Sequence, residues 1–293
     1  MLTDYLADAR TAIDQQLAQL LARSDCGSYD KLFDAARYAL LGGGKRLRPL
    51  LLLAAAEGLG AARAAALPAA CAVEMIHTYS LVHDDLPCMD DDDFRRGRPS
   101  LHRAFPEGLA VLAGDFLLTY AFEVIAINPL LSPATNLQLV TDLAQSAGGH
   151  GMIAGQVMDI EAEGKKLDLP AMEAIHRCKT GALISAAVAM GGIAANASAA
   201  TMEILRSYGN DLGLAFQIAD DLLDVAASMA KRGQSSSSDL LNDKMTYVKL
   251  MGYDQATETV RRLVGHAKAK LAQLPGDSLP LQALTDMAIQ LEG

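Results

Sequence analysis

The sequence predicts an all-α fold built as one bundle of long helices. Three observations carry that expectation. Apolar residues recur at three-, four- and seven-residue steps; no segment alternates in the way a strand does; and glycines and prolines fall at several segment ends. The composition agrees. Hydrophobic residues make up 51% of the 293 residues and aromatics only 5%, with no Trp. Such an Ala- and Leu-rich chain suits packed helices.

The elements follow in order. Leu6, Ile13, Leu17 and Leu20 line one face of a first helix over Thr3 to Arg23, with Thr3 as its cap. A second helix runs from Tyr29 to Leu41 and stops at Gly42-Gly43-Gly44. Pro49 suits the first turn of a third, through Leu59. The next spans Pro68 to Asp85 and ends near Pro87, and Leu109 to Ile127 is another long apolar segment. Later helices are expected over Leu137–Gly148, Pro170–Lys179, Gly181–Ile193, Ala199–Leu223, Tyr253–Leu274 and Pro280–Leu291. Lys231 to Asp243, with Ser235 to Ser238, reads as a surface loop. No linker-like change of composition divides the chain, so one domain over 1–293 is expected.

The uncharged stretch Thr180 to Met202 is long enough to cross a bilayer. Its glycines, serines and Asn196 point instead to a buried core helix that breaks near Gly191-Gly192. The N-terminus lacks a basic segment followed by an apolar run, so no signal peptide is expected and a cytoplasmic location is. Cys26, Cys71, Cys88 and Cys178 are widely spaced without a zinc pattern, and read as reduced, mostly buried thiols. The net charge of -10 argues against nucleic acid as a partner.

Two acidic clusters concentrate the chemistry. Asp84, Asp85 and Asp90 to Asp93 place six carboxylates in ten residues, and Pro87 lets the later ones fold back toward Asp84. Asp220, Asp221 and Asp224 end an apolar helix, with Asp220 and Asp224 one turn apart on one face. Like charges this close destabilise one another, and a divalent cation reverses that cost. Hard oxygen ligands suit magnesium shared with substrate phosphates, while a solvated acidic face is the plainer alternative. The glycine turn before Lys45, Arg46 and Arg48 favours an anion, as do Arg95-Arg96 and the Lys179-Thr180-Gly181 helix start. A solvated basic turn is the plainer alternative for the first of these, and charge compensation of the neighbouring acids for Arg95-Arg96. His77 lies two turns before Asp84 on the same face.

Taken in order, Gly-Gly-Lys45-Arg-Leu-Arg48-Pro, the run Met75 to Asp90, Arg95-Arg96-Gly, Lys179-Thr180-Gly and Phe216 to Asp224 resemble the trans-prenyl diphosphate synthases. Gly151 to Asp159 also looks like a segment of that family, and the likeness covers roughly positions 30 to 270. It implies a helical bundle around a deep central cavity, usually a homodimer. It implies that Asp84, Asp85, Asp90, Asp220 and Asp224 hold magnesium, three ions with substrate bound, and that Asp221 supports them. Arg95, Lys179 and Gln217 are then expected to contact an allylic diphosphate. Lys45, Arg48, His77 and Arg96 are expected to hold isopentenyl diphosphate, and Lys244 matches another family lysine. The Thr180 hydroxyl, Lys179 carbonyl and Gln217 are expected to face the allylic cation. Tyr79 and Ser80, about one turn before Asp84, are expected to floor the cavity. A bulky Tyr79 looks like the stop of bacterial farnesyl diphosphate synthases, with a C20 product as the alternative. The family's Gly-Lys pair after the second motif falls here on Gly233-Gln234, with Lys231 as a substitute if the loop shifts. A class I terpene cyclase and a non-catalytic partner subunit are the competing functions.

Overall fold

The computed structural model describes residues 2–22, 29–232 and 246–289, with the side chains of 227–232 left outside the description. Cys26, Lys231, Gln234, Ser235 to Ser238 and Lys244 therefore lie outside the described side chains. Helices α1 (Leu2–Leu20), α2 (Asp30–Leu40), α3 (Leu47–Gly58) and α4 (Arg63–Asp84) open the chain. A two-residue hairpin, β1 (Phe94–Arg95) and β2 (Arg98–Pro99), leads to α5 (Leu101–Ala104), α6 (Glu107–Ala126), α7 (Pro133–Ala147) and α8 (Met152–Ala162). Then come α9 (Leu169–His176), a π turn (Arg177–Gly181), α10 (Ala182–Ala194), α11 (Ala199–Arg232), α12 (Tyr247–Met251), α13 (Tyr253–Leu271) and α14 (Leu279–Ala288).

The main core joins α1, α3, α4, α6, α10 and α11, with Leu51, Leu52, Leu53, Met75 and Ile76 fully covered. Helix α4 packs on α6 and α3, and α10 on α11 and α3. A second cluster locks α11 against α12 and α13 through Leu214, Ile218, Tyr247 and Val260. A third, with Ala35, Val82 and Leu101, ties α2 and the hairpin region to α4.

Several boundaries depart from the sequence expectation. Helix α4 starts at Arg63, so Pro68 lies inside it rather than opening it. Helix α10 does not break at Gly191-Gly192 but runs on to Ala194. The glycines serve packing there: a Cβ on Gly191 would sit 2.4 Å from the Leu52 carbonyl oxygen of α3. The expected break at Thr180 is instead a π turn that carries the chain from α9 into α10. Helices α8, α5 and α12 and the hairpin were absent from the periodicity reading because each is short or half-exposed. Cys71 is buried, whereas Cys88 is exposed.

Candidate active site

Arg46 builds the turn that opens α3. It adopts a left-handed conformation at φ 52°. Its guanidinium is buried and bonded to Glu74 on α4 at 2.7 Å, Asp14 on α1 at 2.9 Å and the Leu40 carbonyl at 2.8 Å. Removing one partner from such a buried pair costs several kcal/mol, so the turn is fixed. It leaves Lys45 exposed and Arg48 directed inward, with the Arg48 Nε buried and without a hydrogen-bond partner. Burial pulls the Arg48 guanidinium below its ordinary range, with Glu74 and Asp220 opposing and Arg96 adding to the pull. An anion is what such a group lacks.

Arg96 closes over the same turn. Its Nη1 donates to the Gly43 carbonyl. Its guanidinium lies where a Gly44 Cβ would be, 2.6 Å from Cζ, and Gly44 has φ +123°. Only glycine meets both demands. His77 on α4 faces this group of cations. Burial first, then Arg48, Arg96, Arg46 and Arg95, holds its imidazole well below the usual histidine range. It is a neutral ring beside guanidiniums.

The first acidic cluster folds back as expected: the Asp90 N–H donates to the Asp84 carbonyl at 2.9 Å. Burial, and behind it the Asp90 carboxylate, pushes the Asp84 carboxyl up to about 6 against the pull of Lys179. Asp85 is paired with an arginine of the hairpin. It is 2% exposed, and its Oδ1 accepts from Arg95 Nε at 2.9 Å and from Nη2. Asp85 thus supports Arg95, which Asp92 also holds at 2.9 Å. Helix α4 ends at Asp84, with Asp85 as its C-cap residue.

The second cluster divides in the same way. Asp220 faces Lys45 and Arg48; burial, with Asp224 and Asp221 behind it, pushes its carboxyl up to about 6. Asp224 is exposed and also raised, by burial and by Asp221. Asp221 is buried, accepts from the Tyr247 N–H at 2.8 Å and lies 3.5 Å from His176 Nε2. It anchors the start of α12.

Lys179 and Thr180 sit in the π turn. Turns of this kind, with one extra residue, often mark functional positions. Lys179 Nζ donates to Asp159 of α8 at 2.6 Å, and Thr180 Oγ1 donates to Gln217 Oε1 of α11 at 2.7 Å. Glycines permit both. A Cβ on Gly155 would fall 2.1 Å from the Lys179 nitrogen, and one on Gly213 would fall 2.6 Å from the Gly181 Cα. Sequence reasoning missed the roles of Asp159 and Gly155, although both lie in a segment it had singled out. Tyr79 is buried in the core, edge-on to His83 with ring centroids 5.7 Å apart. Burial and Asp84 push its phenol up to about 12. Ser80 is half-buried and donates to the His77 carbonyl at 2.9 Å.

These neighbours close a ring: Asp84, Lys179, Thr180, Gln217, Asp220, Lys45, Arg48, His77 and Arg96, drawn from α3, α4, the hairpin, the π turn and α11. Two acidic shores alternate with two basic ones. A family model described as polyprenyl synthetase matches residues 29–275, a span that contains every member of the ring. The chain belongs to the polyprenyl synthetase family.

This polyprenyl synthetase is 42% identical over 288 residues to a farnesyl diphosphate synthase of Bacillus subtilis, covering 98% of this chain and 97% of that one. It is 46% identical over 263 residues to the large subunit 1 of a heterodimeric chloroplastic geranylgeranyl pyrophosphate synthase of Arabidopsis thaliana, covering 87% and 71%. Among solved structures, an FPP/GFPP synthase from Zymomonas mobilis, in its apo form, matches with a TM-score of 0.88, 36% identity and 98% of both chains covered. The all-α isoprenoid synthase fold of these polyprenyl synthetases, a helical bundle around a deep central cavity, is therefore the fold of this chain.

Proposed function

We propose that the whole chain, 1–293, is a short-chain trans-prenyl diphosphate synthase. It condenses isopentenyl diphosphate with dimethylallyl and then geranyl diphosphate, and stops at farnesyl diphosphate. The observation that carries this reading is the ring of alternating shores. Each acidic shore, Asp84 with Asp90 and Asp220 with Asp224, has a cation of the chain beside it. Half-buried Arg48 and neutral His77 lie within a basic pocket suited to a second diphosphate.

Magnesium fits the acidic shores. Among the described residues no three acids or histidines are gathered into a ready-made metal cluster. Yet Asp84 and Asp220 are both held near 6 by burial and by like charge, a cost that a cation relieves. Two separated hard-oxygen shores suit an ion completed by substrate phosphates. Asp84 and Asp90 would hold it on one side, Asp220 and Asp224 on the other, with three ions in the substrate complex. When bound, magnesium neutralises charge on the departing diphosphate.

The protein groups then act as follows. Lys179 and Arg95 bind the allylic diphosphate and stabilise charge as its C–O bond breaks. Thr180 and Gln217, already bonded to each other, present oxygen dipoles to the allylic cation. Lys45, Arg48, His77 and Arg96 orient isopentenyl diphosphate so that its double bond attacks that cation. The proton lost afterwards goes to the released diphosphate. The apolar walls exclude water that would trap the cation. Tyr79, buried one turn before Asp84, stops the growing tail at C15. The plant geranylgeranyl relative favours a C20 product as the second reading.

The reading includes a homodimer and a cytoplasmic location. Leu112 on α6, Ile127 and Leu130 just after it, and Leu137 on α7 are all more than half exposed. We take these exposed apolar side chains of α6 and α7 as the subunit contact. Exposed Cys88 is at home in a reducing compartment. Purified protein with isopentenyl and geranyl diphosphates should form a longer diphosphate in magnesium, lose that activity in EDTA and regain it on adding the metal back. Metal-independent turnover would overturn the reading. Light scattering should give twice the chain mass, and Leu112→Glu should halve it.

A further inference from the structure

The basic turn between α2 and α3 is held from outside as well as from within. Its glycines, Gly43 at φ +92° and Gly44 at φ +123°, leave the main chain there free to take other conformations. A guanidinium takes the carbonyl of each. Arg96 of the hairpin takes that of Gly43. Arg10 of α1 takes that of Gly44, its Nη2 donating at 2.7 Å. Arg96 belongs to the diphosphate pocket itself, whereas Arg10 lies on α1, outside the span 29–275 that the family model matches.

Helix α1 grips the turn at two points. Arg10 and Asp14 are one helical turn apart and share a face. Arg10 holds Gly44, and Asp14 accepts from Arg46 Nε at 2.9 Å. Lys45 stands between these two contacts. The helix that makes them is itself firmly seated, because Ala9, Ile13 and Leu17 on its adjoining face are buried in the main core.

The peptide plane gives this grip a consequence. In a trans peptide the carbonyl and the N–H point in opposite directions. Arg10 draws the Gly44 carbonyl toward α1, so the Lys45 N–H on the same peptide faces away from α1. Among the described residues that N–H donates to no backbone carbonyl. The Lys45 side chain, exposed and acting on Asp220, branches from the adjoining Cα. Arg46 fixes the turn after Lys45, and Arg10 fixes it before.

We propose that Arg10 is a positioning residue for the second diphosphate: by holding the Gly44 carbonyl it sets Lys45 in the pocket that takes isopentenyl diphosphate. The inference rests on the synthase reading and adds to that site a residue from α1. Arg10 acts through Lys45, its own guanidinium being engaged by the carbonyl.

Arg10→Met keeps the apolar stem and removes the donors, and Arg10→Lys restores a donor. Arg10 is exposed, so both variants should fold with urea midpoints close to wild type. In EDTA, isopentenyl diphosphate titrated calorimetrically into the wild type should bind, and Arg10→Met should weaken that binding about five- to tenfold. In turnover with magnesium, the KM for isopentenyl diphosphate should rise by a similar factor while kcat and the KM for geranyl diphosphate stay as they were. Arg10→Lys should recover most of the loss. A merely structural residue would move the two KM values together. Equal affinity in wild type and Arg10→Met, or an equal rise in both KM values, would overturn the role of Arg10 and leave the synthase reading standing. No binding to the wild type would overturn that reading and the role of Arg10 with it.

Discussion

Gly155→Ala tests how the fold holds Lys179 and Thr180. The new Cβ would fall 2.1 Å from the Lys179 nitrogen, 2.5 Å from its Cα and 2.7 Å from the Cys178 carbonyl carbon. All three neighbours are backbone, so no rotamer change relieves the clash. Reaching an ordinary 3.4 Å contact from 2.1 Å requires α8 and the π turn to separate by about 1.3 Å. Overpacking of this kind costs about 1–3 kcal/mol of stability. The site loses more. Asp159 on α8 is drawn away from Lys179, now 2.6 Å distant, and Thr180 is displaced from Gln217, now at 2.7 Å. Misplacing catalytic groups by about 1 Å costs roughly 100-fold in turnover. The assay is steady-state kcat and KM with geranyl and isopentenyl diphosphates, run beside urea unfolding. A folded variant with kcat reduced on the order of 100-fold is expected. Near-normal kcat in a folded variant would refute the claim that this close approach sets the site.

Four further outcomes follow from the same geometry. Tyr79→Ala should lengthen the product beyond C15, sized by mass spectrometry; an unchanged C15 product counts against a tyrosine floor. The double variant Lys179→Ala, Thr180→Val removes the charge beside Asp84 and the bond to Gln217, so kcat should collapse, and normal turnover would sink the roles given to both. Asp221→Asn should lower stability by about 1–3 kcal/mol, read by urea unfolding, because the buried Tyr247 N–H loses its charged acceptor, while the magnesium dependence of turnover stays as it was. Asp220→Asn should do the reverse, raising the magnesium concentration needed for half activity; matching effects of the two variants would refute the division of that motif. The fourth concerns pH. Asp84 and Asp220 titrate near 6 when folded and near 4 when unfolded, so they favour the metal-free fold below pH 4 and lose that contribution as pH rises through 6. The urea midpoint of wild type relative to an Asp84→Asn, Asp220→Asn double variant should therefore fall between pH 4 and 6, and a flat difference would contradict the burial argument.

Much of this site is legible in the sequence because its residues cluster locally. Asp220 and Asp224 share a helical face by spacing alone, while Asp84 with Asp90 and Lys45 with Arg48 lie close in sequence across the end of α4 and the start of α3. What spacing cannot reveal is a partner distant in the chain. The Lys179–Asp159 pair, the Arg46 link to Glu74 and Asp14, and the Asp221 hold on Tyr247 all depend on how helices dock. Asp85 shows the limit most clearly. The family resemblance groups it with Asp84, and its pairing with the hairpin arginine, ten residues on, is visible only once the chain has folded. The helices themselves were read well where the apolar stripe was strong, as in α1 and α2. They were misread at Gly191-Gly192, where glycine marks close packing rather than an end. No local pattern announces a π turn; its signal lies in the glycines of other helices, Gly155 and Gly213, that leave room for it.

The central claim is tested most directly by giving the purified protein magnesium and isopentenyl diphosphate with dimethylallyl, geranyl or farnesyl diphosphate in turn, and sizing the products by mass spectrometry. The account predicts C15 from the first two starters and little extension of the third. A C20 product would keep the synthase and remove the tyrosine floor. No product from any starter would contradict the account and bring forward a non-catalytic partner subunit.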